Sequence, residues 1–254
     1  MHFIKFKTNL KIKDDKGKMT VKHTPLAVRM RPNHISDIIG QEHLVGEGKI
    51  IKRMVDANKI ASMILFGPPG TGKTSLAYAI AKSLSLPIRK LNAVIDKKKD
   101  LEIVVEEAKM SGQIVLILDE VHRLDKAKQD FLLPHLEENI ITLIGCTTAN
   151  PYHSINPAIR SRCHLFELKR LNPEQIKQAI HNCLKDEENG YGKYNIVIAN
   201  EAVDHFAYSG NGDLRAVLNG LELAVSSTPE DDEGVIHITL DVAEQCMQKK
   251  SFSH

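Results

Sequence analysis

Apolar residues along this chain recur with two different periods. Between Pro25 and about Lys169, short unbroken apolar runs alternate with segments in which apolar positions return every three or four residues. The runs Met63–Phe66, Ile114–Leu118 and Ile140–Cys146 read as buried strands, with Ile88–Asn92 as a second strand of the series and Leu165–Leu168 as a last short one. Ile50–Ala57 and Ser75–Leu84 read as helices, the second with a Leu76, Ile80, Leu84 stripe. Asp100 reads as the cap of another, which turns Leu101, Val104, Val105 and Ala108 to one side and closes near Gly112. Phe131–Leu136 is helical in pattern, with Pro134 at a kink or near an end. Such alternation predicts an α/β fold, a parallel sheet covered on both faces.

Beyond Leu171 only helices are expected. Asn172-Pro173-Glu174-Gln175 has the form of a helix start, with a cap, a first-position proline and a third-position glutamine. Further helices are expected near Asn200, Asp213 and Thr239, and Thr228–Gly234 reads as an acidic, exposed turn. Leu214, Val217, Leu218, Leu221 and Val225 follow helical spacing. The predicted organisation is an extension over 1–24, an α/β core over 25–170 and a small all-helical domain over 171–254.

Charge sets the extension apart. Residues 1–24 hold seven lysines against two aspartates, a net +5, so the other 230 residues carry −3 of the total +2. The extension is expected to be disordered or foreign to the native protein, and Met19 is a candidate start. A nucleic-acid partner would have to be gripped by a local patch, because the body has no global positive field. With 42% hydrophobic and 26% charged residues the chain is otherwise ordinary. No apolar run approaches the roughly 20 residues of a bilayer span. Lysines interrupt any signal-peptide core. A cytoplasmic protein without a membrane partner is expected. Cys146, Cys163, Cys183 and Cys246 are scattered and read as reduced thiols, and no histidine pair has metal-ligand spacing.

The chemistry gathers after the first core strand, where Gly67-Pro68-Pro69-Gly70-Thr71-Gly72-Lys73-Thr74 fits the Gly-x-x-x-x-Gly-Lys-Thr phosphate loop. Consecutive backbone N–H groups must converge on one polyphosphate, and glycine keeps side chains out of that approach. The following helix adds its N-terminal N–H groups and dipole. Lys73 supplies a point charge to the β and γ phosphates, and Thr74 a hydroxyl for Mg²⁺. Some 46 residues after Lys73, an apolar run ends in Asp119-Glu120. On a neighbouring strand, Asp119 would hold Mg²⁺ through its water shell and Glu120 would polarise the attacking water. The next strand ends Thr147-Thr148-Ala149-Asn150, where Thr148 is favoured to contact that water or the γ-phosphate, with Asn150 and Thr147 behind it. Arg160 and Arg162 could reach a neighbouring subunit's nucleotide as an arginine finger. Arg215, in the first turn of a helix, would face an anion, with the γ-phosphate the natural candidate. His122 reads as incidental, and Lys97-Lys98-Lys99 as a solvated charge run or a DNA contact.

These motifs occur in the order found in AAA+ ATPases of the clamp-loader and Holliday-junction-motor clade. Arg29-Met30-Arg31-Pro32, Asp37-Ile38-Ile39-Gly40-Gln41-Glu42-His43-Leu44, Ser161-Arg162-Cys163 and Gly212-Asp213-Leu214-Arg215 complete the set. From about Pro25 onward the chain resembles the replication-associated recombination protein A family. The resemblance implies ATP and Mg²⁺ as ligands, Lys73 and Thr74 on phosphate and metal, and Asp119 and Glu120 as Walker B. It also implies Thr148 as sensor 1, Arg162 as the finger acting in trans, Arg215 as sensor 2, and Ile38 and Ile39 beside the adenine. By the same resemblance the chain is a P-loop NTPase with a helical lid, hydrolysing ATP on single-stranded, gapped or forked DNA at replication forks, with replication or repair proteins as partners and a nucleoid-associated location. A clamp-loader-like scaffold subunit and a Holliday-junction-type motor are the alternative readings. Residues 1–18 lie outside the family pattern. Members of that family continue into a helical domain that forms tetramers, so a chain that stops here is expected to be a fragment, or to lack that domain and hydrolyse ATP poorly alone.

Overall fold

The computed structural model describes residues 9–13 and 19–247. Asn9–Lys13 (β1) and Met19–His23 (β2) pair antiparallel, with Asn9 opposite His23 and Lys13 opposite Met19. These two strands lie within the extension that the sequence sets apart. Its remainder, residues 1–8 and 14–18, lies outside the described residues.

The apolar runs of the core become Met63–Phe66 (β3), Ile88–Asn92 (β4), Ile114–Asp119 (β5), Ile141–Thr147 (β6) and His164–Glu167 (β7). They form one sheet in the order β4-β5-β6-β3-β7, with every neighbouring pair parallel. Alternation along β5 shows why this central strand is apolar on both sides. Ile114, Leu116 and Leu118 pack with Leu101, Val104 and Val105 of helix Lys98–Ser111 and with Leu132 of helix Lys126–Glu137. Val115 and Ile117 pack on the other face with Leu76, Ala77 and Ile80 of helix Lys73–Ser83. Each of these large aliphatic side chains is nearly or fully buried, contributing about 1.5–3 kcal/mol.

Two helix starts differ from expectation. The helix placed at Asp100 begins at Lys98, and Asp100 Oδ2 accepts the Lys97 N–H at 2.7 Å from the third helical position. A carboxylate there satisfies an orphan donor as an N-cap would, so the sequence signal is shared between the two positions. The phosphate-loop helix begins at Lys73, two residues before the expected Ser75. Pro134 lies in the last turn of its helix. At Asn172 the expected reciprocal cap is present: its Oδ1 accepts the Gln175 N–H at 2.9 Å, and Gln175 Oε1 accepts the Asn172 N–H at 3.0 Å.

The chain divides into two compact units, one formed by residues 32–176 with 211–214, the other by the described parts of 1–31, 177–210 and 215–254. The boundary falls within helix Pro173–Lys185, six residues past the expected one. Leu26–Arg29 joins the second unit instead of the α/β core. There the Leu26 N–H donates to Glu222 Oε1 at 3.1 Å, and Arg29 donates to the Asn189 carbonyl at 2.6 Å and lies over the Tyr191 ring. Phe206, Val217, Leu221 and Ala224 form part of its buried interior. The unit is not purely helical, since Ile196–Ile198 (β8) pairs parallel with Ile236–Ile238 (β9). Three residues of in-out alternation are too short to stand out from loop in a sequence window, which is why this pairing went unpredicted. Among the described residues no helix is long and apolar enough to cross a membrane.

Candidate nucleotide site

β3 runs straight into the phosphate loop. Gly67 has φ +143°, and a Cβ there would stand 2.2 Å from the Leu168 carbonyl oxygen. Gly70 has φ +71°, and its Cβ would stand 1.8 Å from Asp213 Oδ1. At both positions conformation and space allow only glycine. Gly72 caps the helix that starts at Lys73, and Lys73 Nζ donates to the carbonyls of Gly67 at 2.9 Å and Pro68 at 2.7 Å. Thr71 is buried and its Oγ1 donates to the Pro68 carbonyl at 2.9 Å. Pro69 is exposed. The Leu214 N–H closes the outside of the loop by donating to the Gly70 carbonyl at 3.0 Å.

Gln41, quoted above only as part of a motif, fastens this loop. Its Nε2 donates to the carbonyls of Thr71 at 3.2 Å and Lys169 at 2.8 Å, while its Oε1 accepts the Lys169 N–H at 2.9 Å. Gln41 is buried and sits in left-handed backbone directly after Gly40. The neighbouring Ile38 and Ile39 are half-buried, Ile38 against the apolar cluster that holds Leu76 and Ala77.

Asp119 ends β5, which is not the immediate neighbour of β3 as expected; β6 lies between them. Parallel register nevertheless levels the three tips, with Phe66 opposite Thr147 and Cys146 opposite Asp119. Thr74 Oγ1 donates to Asp119 Oδ1 at 3.0 Å. A hydroxyl and a carboxylate side by side are the oxygen donors that Mg²⁺ takes, Thr74 directly and Asp119 through the metal's water shell. Asp119 Oδ2 pairs with Lys90 Nζ of β4 at 2.8 Å, a contact that nothing in the spacing of the sequence announced. Beneath the tips Cys146 is buried, and burial, then the Asp119 charge, push its thiol well above the usual range.

Glu120 follows with left-handed backbone (φ 55°) and a side chain 42% exposed. His122, set aside in the sequence, stands beside it: Nε2 is 3.7 Å from Glu120 Oε2, and Nδ1 is 2.7 Å from Thr147 Oγ1. Thr148 is exposed immediately beyond β6. Asn150 Oδ1 caps the turn Pro151–Ser154 by accepting the Tyr152 N–H. Arg162 Nη1 donates to the Ala158 carbonyl at 2.8 Å, and its Nη2 pairs with Glu137. Arg215 is exposed in the first turn of helix Leu214–Ser227 and belongs to the second compact unit. The α/β unit therefore brings together Gly67–Thr74, Asp119 and the Glu120–His122–Thr147 group.

Comparisons with known proteins show the family of the chain. Residues 63–171 match the family described as ATPase family associated with various cellular activities (AAA), and residues 192–254 match the AAA C-terminal domain. Residues 21–95 match the TIP49 P-loop domain. Replication-associated recombination protein A of Bacillus subtilis (strain 168) is 66% identical over 230 residues, which are 91% of this chain and 55% of that protein. The Escherichia coli (strain K12) protein of the same name is 41% identical over 214 residues, 83% of this chain and 48% of that protein. The chain spans about half the length of these relatives. The Thermotoga maritima RuvB Holliday junction branch migration motor shares the fold, with a TM-score of 0.67 at 24% identity, over 87% of this chain and 72% of that one.

Proposed function

Because the chain belongs to the AAA ATPases of the replication-associated recombination protein A family, we propose that it binds ATP with Mg²⁺ and hydrolyses it to ADP and phosphate in a reaction stimulated by DNA. The observation that carries this reading is the 3.0 Å contact of Thr74 with Asp119 at the mouth of the phosphate loop. In it, the loop amides and Lys73 hold the β and γ phosphates. Thr74 and Asp119 hold the metal, which supplies charge neutralisation on the phosphate oxygens. Glu120 accepts a hydrogen bond from the attacking water and orients it toward the γ-phosphorus. Ile38 and Ile39 provide an apolar surface for the base, Thr148 contacts the γ-phosphate or the water, and Arg215 senses the γ-phosphate. Arg162 serves the nucleotide of a neighbouring copy.

DNA enters this reading through the recombination and replication named in the relatives. With the body of the chain at −3, a local patch would have to grip it, and Lys97–Lys99 is one candidate. The test is ATP turnover with and without single-stranded and forked DNA, for the wild type, Lys73→Ala and Glu120→Gln. Expected are stimulation by DNA, loss of nucleotide binding in the first variant, and retained binding with turnover lowered by at least ~100-fold in the second. Turnover indifferent to both substitutions would overturn the assignment, and turnover indifferent to DNA would remove the DNA dependence alone.

A further inference from the structure

Two side chains at the strand tips, Thr147 and His122, have no role in that scheme. Thr147, 1% exposed at the end of β6, accepts the Ala149 N–H on its Oγ1 at 3.0 Å. The same oxygen meets His122 Nδ1 at 2.7 Å, and His122 Nε2 faces Glu120 Oε2 at 3.7 Å. The backbone around them is tightly seated. Val121 is buried against Gly145 of β6, where any Cβ would stand 3.1 Å from Val121 Cγ1. Glu120 itself is held in left-handed backbone, a conformation that costs a non-glycine residue energy and persists where its surroundings enforce it. The short turn carrying Glu120 and His122 is thus docked on β6 at two places, through Val121 on Gly145 and His122 on Thr147.

A hydroxyl that already accepts an amide N–H keeps its own proton to give. We propose that Thr147 donates this proton to His122 Nδ1, so that the neutral imidazole carries its hydrogen on Nε2 and presents it to Glu120. His122 is then the positioning residue for the carboxylate that orients the attacking water. It touches neither nucleotide nor water. A separation of 3.7 Å exceeds a hydrogen bond; the half-exposed Glu120 side chain closes it by a small rotation. Held at one oxygen, the carboxylate keeps the other free for the attacking water.

This inference rests on the ATPase reading, and the experiment separates the two. Steady-state hydrolysis and the affinity for a fluorescent ADP analogue are measured for the wild type, Lys73→Ala, His122→Ala, His122→Gln, Thr147→Val and Thr147→Ser. Removing an outer partner that orients a working group lowers activity ~10–100-fold in metal sites, and a similar fall in kcat is expected for His122→Ala and Thr147→Val. KM and ADP affinity should stay within about twofold. His122→Gln, which keeps an N–H near the Nε2 position, and Thr147→Ser, which keeps the hydroxyl, should recover most of the loss. Long-range nitrogen–proton spectra of histidine-labelled protein, with the His122 signal identified by its loss in His122→Gln, should report the Nε2–H tautomer in the wild type and a change in Thr147→Val. Unchanged kcat in His122→Ala, an Nδ1–H tautomer in the wild type, or parallel loss of kcat and ADP affinity would each overturn the positioning role. A wild type with no turnover above Lys73→Ala defeats the ATPase reading, and this inference with it.

Discussion

At the scale of single residues the site is governed by what cannot be accommodated. Gly70 combines left-handed backbone with a neighbour that leaves no room for a methyl group. Gly70→Ala should therefore both destabilise the fold, by more than ~1 kcal/mol, and weaken ATP binding, because the loop can relieve the clash only by displacing its amides. Thermal unfolding with and without nucleotide checks this: a normal melting temperature with full nucleotide-dependent stabilisation would contradict it. The thiols give a second expectation. Burial pushes Cys163 and Cys183 up to about 12 and Cys146 beyond the usual range. An ordinary thiol titrates near 8.5, so at that pH the folded protein keeps Cys163 and Cys183 almost wholly protonated. Alkylation mapped by mass spectrometry should leave Cys146, Cys163 and Cys183 largely unmodified in native protein and label them all in denaturant. The sign of the linkage follows. The stability these thiols confer is complete below about pH 8.5 and is lost as pH rises toward 12, so the denaturant midpoint should fall between pH 8 and pH 10.

At the scale of elements, caps make a cleaner test than cores. Asn172 and Gln175 bond reciprocally at the start of helix Pro173–Lys185. Asn172→Ala should cost about 1 kcal/mol in chemical denaturation, and a change under ~0.3 kcal/mol would show that the cap contributes little. That cap was legible in the sequence because all its signals lie within four residues. So were β3, β5 and β6, whose two-sided burial writes an unbroken apolar run, and the loop between β3 and its helix. The β8–β9 pairing was not, since each strand is three residues long. Nor were Gln41 on Thr71, Lys90 on Asp119 or His122 on Thr147, each of which joins residues far apart in the chain. Local periodicity carries no trace of such contacts. Sheet order has the same character: the spacing of the two acidic residues placed Asp119 at a strand tip, while only the fold put β6 between it and the phosphate loop.

At the scale of the whole molecule, the question is whether one chain holds a complete hydrolytic site. Arg162, the proposed finger, is tied in its own chain to Glu137 and to the Ala158 carbonyl on a half-exposed surface. A surface ion pair of this kind contributes only about 0–1 kcal/mol, so exchange for the phosphate of a neighbouring copy faces a small barrier. If Arg162 works in trans, turnover per chain should rise with protein concentration. Two defective chains should also rescue one another. Lys73→Ala cannot hold nucleotide but keeps its finger, whereas Arg162→Ala holds nucleotide and lacks one. Each alone should turn over ATP at least ~100-fold more slowly than the wild type, in line with the size of finger effects in related phosphoryl transfers. Mixed at high concentration they should recover a sizeable part of the lost rate, because the Lys73→Ala chain can lend its arginine to a partner's bound ATP. Summed rates of the separate variants with no gain on mixing, together with concentration-independent turnover in the wild type, would place the arginine's action within its own chain or remove it from the chemistry altogether.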